Sequence, residues 1–159
     1  MTRGFTLVET LVVLVIIGLV TGVAVLTLPG KEASLRDDAL RLAARATLAA
    51  QDSIFSGAPT GLHVTGAGYS FYRMKAGTWQ EVADDRVFSP VIWREGVAAA
   101  LSREGGARIT SKMLIVTTPE VVFDPTGLAT RFTLTLAENG ERFVVDGSAT
   151  GRMVVERPR

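Results

Sequence analysis

Glu9 is followed by 19 residues without a charge, Thr10 to Leu28. At 1.5 Å of rise per residue, about 20 helical residues cross the ~30 Å hydrocarbon core of a bilayer. An unpaired carboxylate in lipid costs several kcal/mol or takes up a proton, so an acid there is read as functional. Near the first turn of a helix its negative charge also suits the macrodipole. Other candidate groups are weaker. His63 is the single histidine; with no partner the sequence can place, it reads as a structural strand residue. Ser102 and Ser111 sit in no nucleophile-elbow pattern. Gly66-Ala67-Gly68 lacks the strand and helix that a phosphate loop requires and reads as a turn. Asp124-Pro125-Thr126-Gly127 offers oxygens that suit calcium, and is equally an ordinary turn. Trp79 and Trp93 are open between an interface and a core.

The elements that position these groups follow from periodicity. The run to Leu28 is too long for a cleaved secretory signal, and Leu28-Pro29-Gly30-Lys31 offers no small-residue cleavage site. It reads as a retained helix, broken or kinked at Pro29-Gly30. Leu35, Ala39, Leu42, Ala46, Ala49 and Ser53 then alternate spacings of four and three, one stripe of a second helical stretch. Its alanines let something pack closely. Arg36, Asp37, Asp38, Arg41 and Arg45 lie mostly off the stripe and read as a solvated face, with Glu32/Arg36 and Asp37/Arg41 as i,i+4 pairs. Ser56-Gly57-Ala58-Pro59 ends the helix.

Beyond Gly61 the period shortens. Strands are expected at Leu62–Val64, Tyr69–Met74, Thr78–Val82, Met113–Thr117, Val121–Phe123, Arg131–Ala137, Arg142–Asp146 and Arg152–Glu156. Lys75-Ala76-Gly77 and Asn139-Gly140 read as hairpin turns. Phe132, Leu134 and Leu136 alternate with Thr133 and Thr135, giving one buried face. Residues 83–111 are the hardest to read, and Glu95 to Leu101 fits a strand or a short helix. The chain is 47% hydrophobic with formal net charge +1 and mean hydropathy +0.29. Loss of Arg3 by processing would bring the charge to zero. Neither value suggests a strongly electrostatic partner for the whole domain. There is no cysteine, hence no disulfide and no thiolate metal site.

The Gly4/Phe5 junction, with Phe5-Thr6-Leu7-Val8-Glu9 and then Thr10 to Gly18, resembles the processing region of type IV prepilins and type II secretion pseudopilins. The resemblance implies that a prepilin peptidase cuts between Gly4 and Phe5. Phe5 would then be the N-methylated N-terminus. In a filament the α-amine of a neighbouring Phe5 would pair with Glu9, a register device. Gly18 and Gly22 form a Gly-x-x-x-Gly pair that lets helices approach. Downstream, Phe123 to Leu136, Phe143 to Gly147 and Thr150-Gly151-Arg152 look like minor pseudopilin H of type II secretion (GspH). The minor type IV pilins FimT and FimU share that domain.

The implied fold is α+β and type IV pilin-like: a long N-terminal helix, its first half transmembrane, packed on a mostly antiparallel β-sheet. The implied organisation is a leader over 1–4, a transmembrane and assembly helix over 5–29, its amphipathic half over 30–57 and a periplasmic β-rich domain over 58–159. The implied role is a low-copy, non-enzymatic, cofactor-free subunit at the pseudopilus tip, in the inner membrane with its C-terminal domain periplasmic. It would help start or extend the filament that drives folded proteins across the outer membrane. Its partners would be other minor pseudopilins, the major pseudopilin, prepilin peptidase and the inner-membrane platform. Two alternatives stay open: a FimT/FimU-like minor pilin of a type IV pilus, and a single-pass membrane-anchored periplasmic binding domain. FimT-like pilins bind DNA through Gly-Arg-x-Arg. Here Gly151-Arg152-Met153-Val154 has valine in place of the second arginine, which argues against nucleic acid. Arg152, Arg157 and Arg159 still allow weak, salt-sensitive phosphate contacts.

Overall fold

The computed structural model describes residues 7–26, 31–83, 85–104 and 118–158. Within the helices, side chains are described for residues 7–16 and 35–56. The expected break at Pro29-Gly30 and the expected strand Met113–Thr117 lie outside the described residues. The chain forms two compact units, Met1–Ala33 and Ser34–Arg159.

In the first unit, α1 runs Leu7–Leu26 with Glu9 in its first turn. Thr10 Oγ1 donates to the Leu7 carbonyl at 2.9 Å, a local bond that a hydroxyl in an otherwise apolar helix commonly makes.

The second unit is organised by α2, Lys31–Ser56. Leu35, Ala39, Leu42, Ala46, Ala49 and Ser53 are all fully buried, so the alternating stripe is the inner face. Gly57 follows with φ of 66°, the left-handed residue that commonly ends a helix.

Nine strands follow: β1 Thr60–Val64, β2 Gly68–Lys75, β3 Thr78–Glu81, β4 Val91–Ile92, β5 Ala98–Arg103, β6 Val121–Phe123, β7 Phe132–Glu138, β8 Glu141–Gly147 and β9 Met153–Glu156. They make two sheets, both antiparallel, where the sequence suggests one. The first has order β3-β2-β1-β6, with β4 also paired to β2; the second is β5-β7-β8-β9. The chain passes between them before β5, before β6 and again after β6, where Thr130 N donates to the Val122 carbonyl at 2.9 Å. Both hairpin turns form as their residues demand. Ala76 and Gly77 have φ of 48° and 78°, and Asn139 and Gly140 have 49° and 85°, two consecutive positive values as in a type I′ turn.

The ambiguous stretch at 95–101 resolves as a turn at 95–96 and a strand from Ala98, because Ala98 to Arg103 pair with Ala137 back to Phe132. Tertiary pairing overrides the helix propensity of three alanines.

One core joins α2 to both sheets, with Phe71, Phe123, Leu62, Val121, Leu134, Leu136 and Val145 buried beside the helix stripe. Each such side chain contributes roughly 1.5–3 kcal/mol on burial. Close approach is visible at Gly151, where an added Cβ would lie 3.0 Å from that of Ala50.

Ala46→Leu, on the buried stripe, is predicted to lower unfolding free energy by about 1–3 kcal/mol through overpacking. Ala44→Leu, on an exposed position of the same helix, is predicted to change it by less than about 0.5 kcal/mol. Urea unfolding of the two variants in detergent checks the contrast.

Candidate functional site

Two faces of the molecule carry functional information: the bare surface of α1, and the polar groups of the β unit.

On α1, Leu7, Val8, Leu11, Val12, Val13, Leu14, Val15 and Ile16 are all exposed, from 43% to 77%. These residues point in every direction around a helix of 3.6 residues per turn. A helix apolar all round belongs in a lipid or in the core of an assembly. Glu9 is the one charge among the described residues 7–16, and it is also exposed. Gly18 and Gly22 lie four residues apart in the helical backbone of α1, on one face. Gly4 and Phe5 lie outside the described residues. Among the described residues, no helix is long and apolar enough to cross a membrane.

In the β unit, His63 gains the partner that the sequence did not show. Its Nδ1 lies 2.7 Å from Oε2 of Glu120, with the two side chains 14% and 8% exposed. The Val64 amide also donates to that oxygen at 3.4 Å. The pair ties β1 to the residue preceding β6. The hydrogen bond to Glu120 pushes the His63 pKa up; burial opposes this, and the charges of Glu120 and Glu81 add to the rise. His63 faces away from the core and meets Tyr72 edge-on at 6.2 Å.

Of the charges on α2, Arg36, Asp37 and Arg41 are exposed as their spacing suggests, while Asp38 and Arg45 are half-buried. Asp38 accepts from Arg94 Nε at 3.0 Å, and the same guanidinium forks onto the buried Glu138 at 3.2 Å for each nitrogen. Asp52 accepts from Arg73 at 2.6 Å. Arg45 donates to the Ser89 carbonyl at 3.0 Å. These bonds hold strands and loops to the helix. Their partners are 21 to 56 residues apart, so no local signal announces them.

The remaining candidates separate. Asp124 accepts from the Thr126 amide at 2.9 Å and hydroxyl at 2.6 Å, and Gly127 has φ of 86°. These Thr126 bonds hold the Asp124 carboxyl below its usual range. The loop is a turn closed on itself, and no group of three potential metal ligands occurs among the described residues. Trp93 is core, its Nε1 donating to the Thr65 carbonyl at 3.0 Å. Trp79 is half-buried beside Gly61, where an added Cβ would collide with the Pro119 ring. Thr65 Oγ1 accepts from the amides of Ala67 and Gly68, so 65–68 is a turn. Ser102 is exposed on β5, and Ser111 lies outside the described residues.

The tail arginines do not form one site. Arg157 is bound to the Glu141 carboxylate at 2.6 Å and lies over the Phe143 ring at 6.0 Å. Arg152 is exposed, and Arg159 lies outside the described residues.

The model of the family described as type II transport protein GspH matches residues 38–151. The prokaryotic N-terminal methylation motif matches residues 1–25. The crystal structure of the minor pseudopilin EpsH from the Vibrio cholerae type II secretion system is similar in fold. Its TM-score is 0.69 at 20% identity, covering 82% of this chain and 98% of that one. A second Vibrio cholerae EpsH structure gives 0.66 at 21% identity, covering 78% and 96%. The solution structure of Escherichia coli GspH gives 0.62 at 22%, covering 81% and 93%. No curated protein matches.

The His63–Glu120 pair generates a pH prediction. With the folded pKa above 6.5, the stabilisation is fully present below pH 6.5 and is lost as pH rises through the folded value. The melting temperature of the wild type is expected to fall over that window. His63→Gln is expected to flatten the fall. Thermal unfolding from about pH 5.5 to about pH 8.5 reads it; equal slopes for both proteins would contradict the pairing.

Proposed function

This chain belongs to the GspH family of type II transport proteins, and from that premise we propose that its bare helix α1 is the assembly element of a pseudopilus. It is a type II secretion minor pseudopilin, membrane-anchored and periplasmic, in a family of structural pseudopilin subunits. The finer reading is that prepilin peptidase cuts between Gly4 and Phe5 and Phe5 is N-methylated. The helix over 5–29 then holds the chain in the inner membrane, ahead of the amphipathic half over 30–57 and the periplasmic domain over 58–159. The subunit joins other minor pseudopilins and the major one near the filament tip, on the inner-membrane platform. There it helps start or extend the filament that moves folded proteins across the outer membrane.

The observation that carries this reading is the exposed apolar surface of residues 7–16 with a single carboxylate in its first turn. Lipid satisfies the apolar surface and leaves Glu9 at a cost. The free α-amine of Phe5 on a neighbouring subunit would remove that cost, so the helix gains most when it lies beside another copy of its kind. Gly18 and Gly22 would let the two backbones approach.

Removing one partner from a buried ion pair typically costs ~3–5 kcal/mol. Glu9→Ala is therefore expected to leave cleavage intact and to lower incorporation into sheared pseudopili by at least about tenfold. Normal incorporation of that variant would contradict the assembly role. Gly4→Leu is expected to block cleavage, read as an unprocessed mass in the membrane fraction.

A further inference from the structure

Antiparallel pairing fixes which backbone groups of β5 are in use. Glu104 N donates to the Arg131 carbonyl at 3.2 Å, so this pair is a hydrogen-bonded rung between β5 and β7. Such rungs alternate along an antiparallel ladder. The register sets Ala98, Ala100 and Ser102 opposite Ala137, Thr135 and Thr133, and these three are therefore the residues bonded to β7. The N–H and C=O groups of Ala99, Leu101 and Arg103 point the other way. β5 is an edge of its sheet, and among the described residues no strand pairs with that side.

Edge strands are usually kept short, charged, ended by proline or covered. The other edges here follow that rule. β4 has two residues, and β3 has four and ends on Glu81. β6 has three and bridges to Ala129. β9 has four, ends on Glu156 and runs into Arg157-Pro158. β5 has six, with neither charge nor proline from Ala98 to Ser102.

Its side chains suit an added strand. On the outer face Ala98, Ala100 and Ser102 are small, which leaves room beside them for a large cross-strand neighbour. On the inner face Ala99 is half-buried at the margin of the core, flanked by the buried Val97 and Leu101. A further apolar residue there would extend that core. Arg103 ends the inner row. It is exposed, and among the described residues its guanidinium has no side-chain partner.

We propose that β5 is a docking edge that takes an added antiparallel strand from a partner protein. The strand that fits presents an acid opposite Arg103, apolar residues opposite Leu101 and Ala99, and a large residue opposite Ala100. Ladder bonds to Ala99, Leu101 and Arg103 supply the attachment, and the acid fixes direction and register. The proposal rests on the β unit alone and goes beyond the filament role.

The test uses the full chain, isotope-labelled at backbone nitrogen, in neutral detergent micelles. The probe is the blocked peptide Glu-Thr-Val-Tyr-Val, whose glutamate lies opposite Arg103 when it runs antiparallel. The Ala99, Leu101 and Arg103 amides are expected to exchange fast in the free protein and at least about tenfold more slowly at saturating peptide. Methylating the backbone nitrogen of the first valine, which faces Leu101, should abolish binding. Methylating that of the tyrosine, which faces away, should not. Glutamine in place of the glutamate should weaken binding and its dependence on salt. Ala99→Pro removes an edge N–H that no internal rung uses, where strands accept proline. It should leave the circular dichroism unchanged and weaken binding about tenfold or more. Protection of the three amides without peptide would overturn the proposal: a constant level would mean an edge already paired within the chain, and a level rising with protein concentration would mean pairing with a second copy. Equal binding of the two methylated peptides, or no protection at millimolar peptide, would also overturn it.

Discussion

Everything in the β unit depends on how closely its strands and loops approach one helix. The inner face of α2 is built mainly from alanine, with Ala39, Ala46 and Ala49 fully buried. Larger residues there would hold the sheets off. Instead Gly151 reaches Ala50, Ser53 Oγ reaches the Asp124 carbonyl at 3.3 Å, and Asp52 reaches Arg73 at 2.6 Å. Those three contacts come from the second sheet's last turn, the crossover loop and the first sheet. A single small-residue stripe therefore sets the positions of both sheets, with hydrogen bonds at its margins fixing their register on the helix.

The two helices solve opposite problems. α2 has one apolar face and buries it within its own unit. α1 has apolar residues all round over residues 7–16, and no partner for them appears among the described residues. Its sequence suits lipid and neighbouring helices, with Glu9 as the one group that lipid alone leaves unsatisfied. The same chain thus couples a self-sufficient β unit to a helix whose energetic needs are met by a membrane and an assembly.

The parts legible in the sequence were those set by local rules. The α2 stripe was visible because spacings of four and three follow helix geometry. The Asn139-Gly140 turn was visible because few residue pairs accept two positive φ values. The alternation in β7 marked its buried face. Long-range features were not legible. Residues 98–101 took their conformation from β7, not from their own propensity. The partition into two sheets depends on three passages between them that no single segment encodes. His63 and Glu120 are 57 residues apart, and Asp38 and Arg45, which tie loops to α2, read as ordinary surface charges. The N-terminal candidates were legible as chemistry. Gly4 and Phe5 lie outside the described residues, so their processing rests on the motif.

Processing leaves its clearest mark on the N-terminus of the chain in the membrane. The intact mass of the chain, extracted from cells with active prepilin peptidase, tests it in one step. The expected chain begins at Phe5 and carries one added methyl group. A full-length, unmodified chain would contradict it and leave α1 as an ordinary membrane anchor.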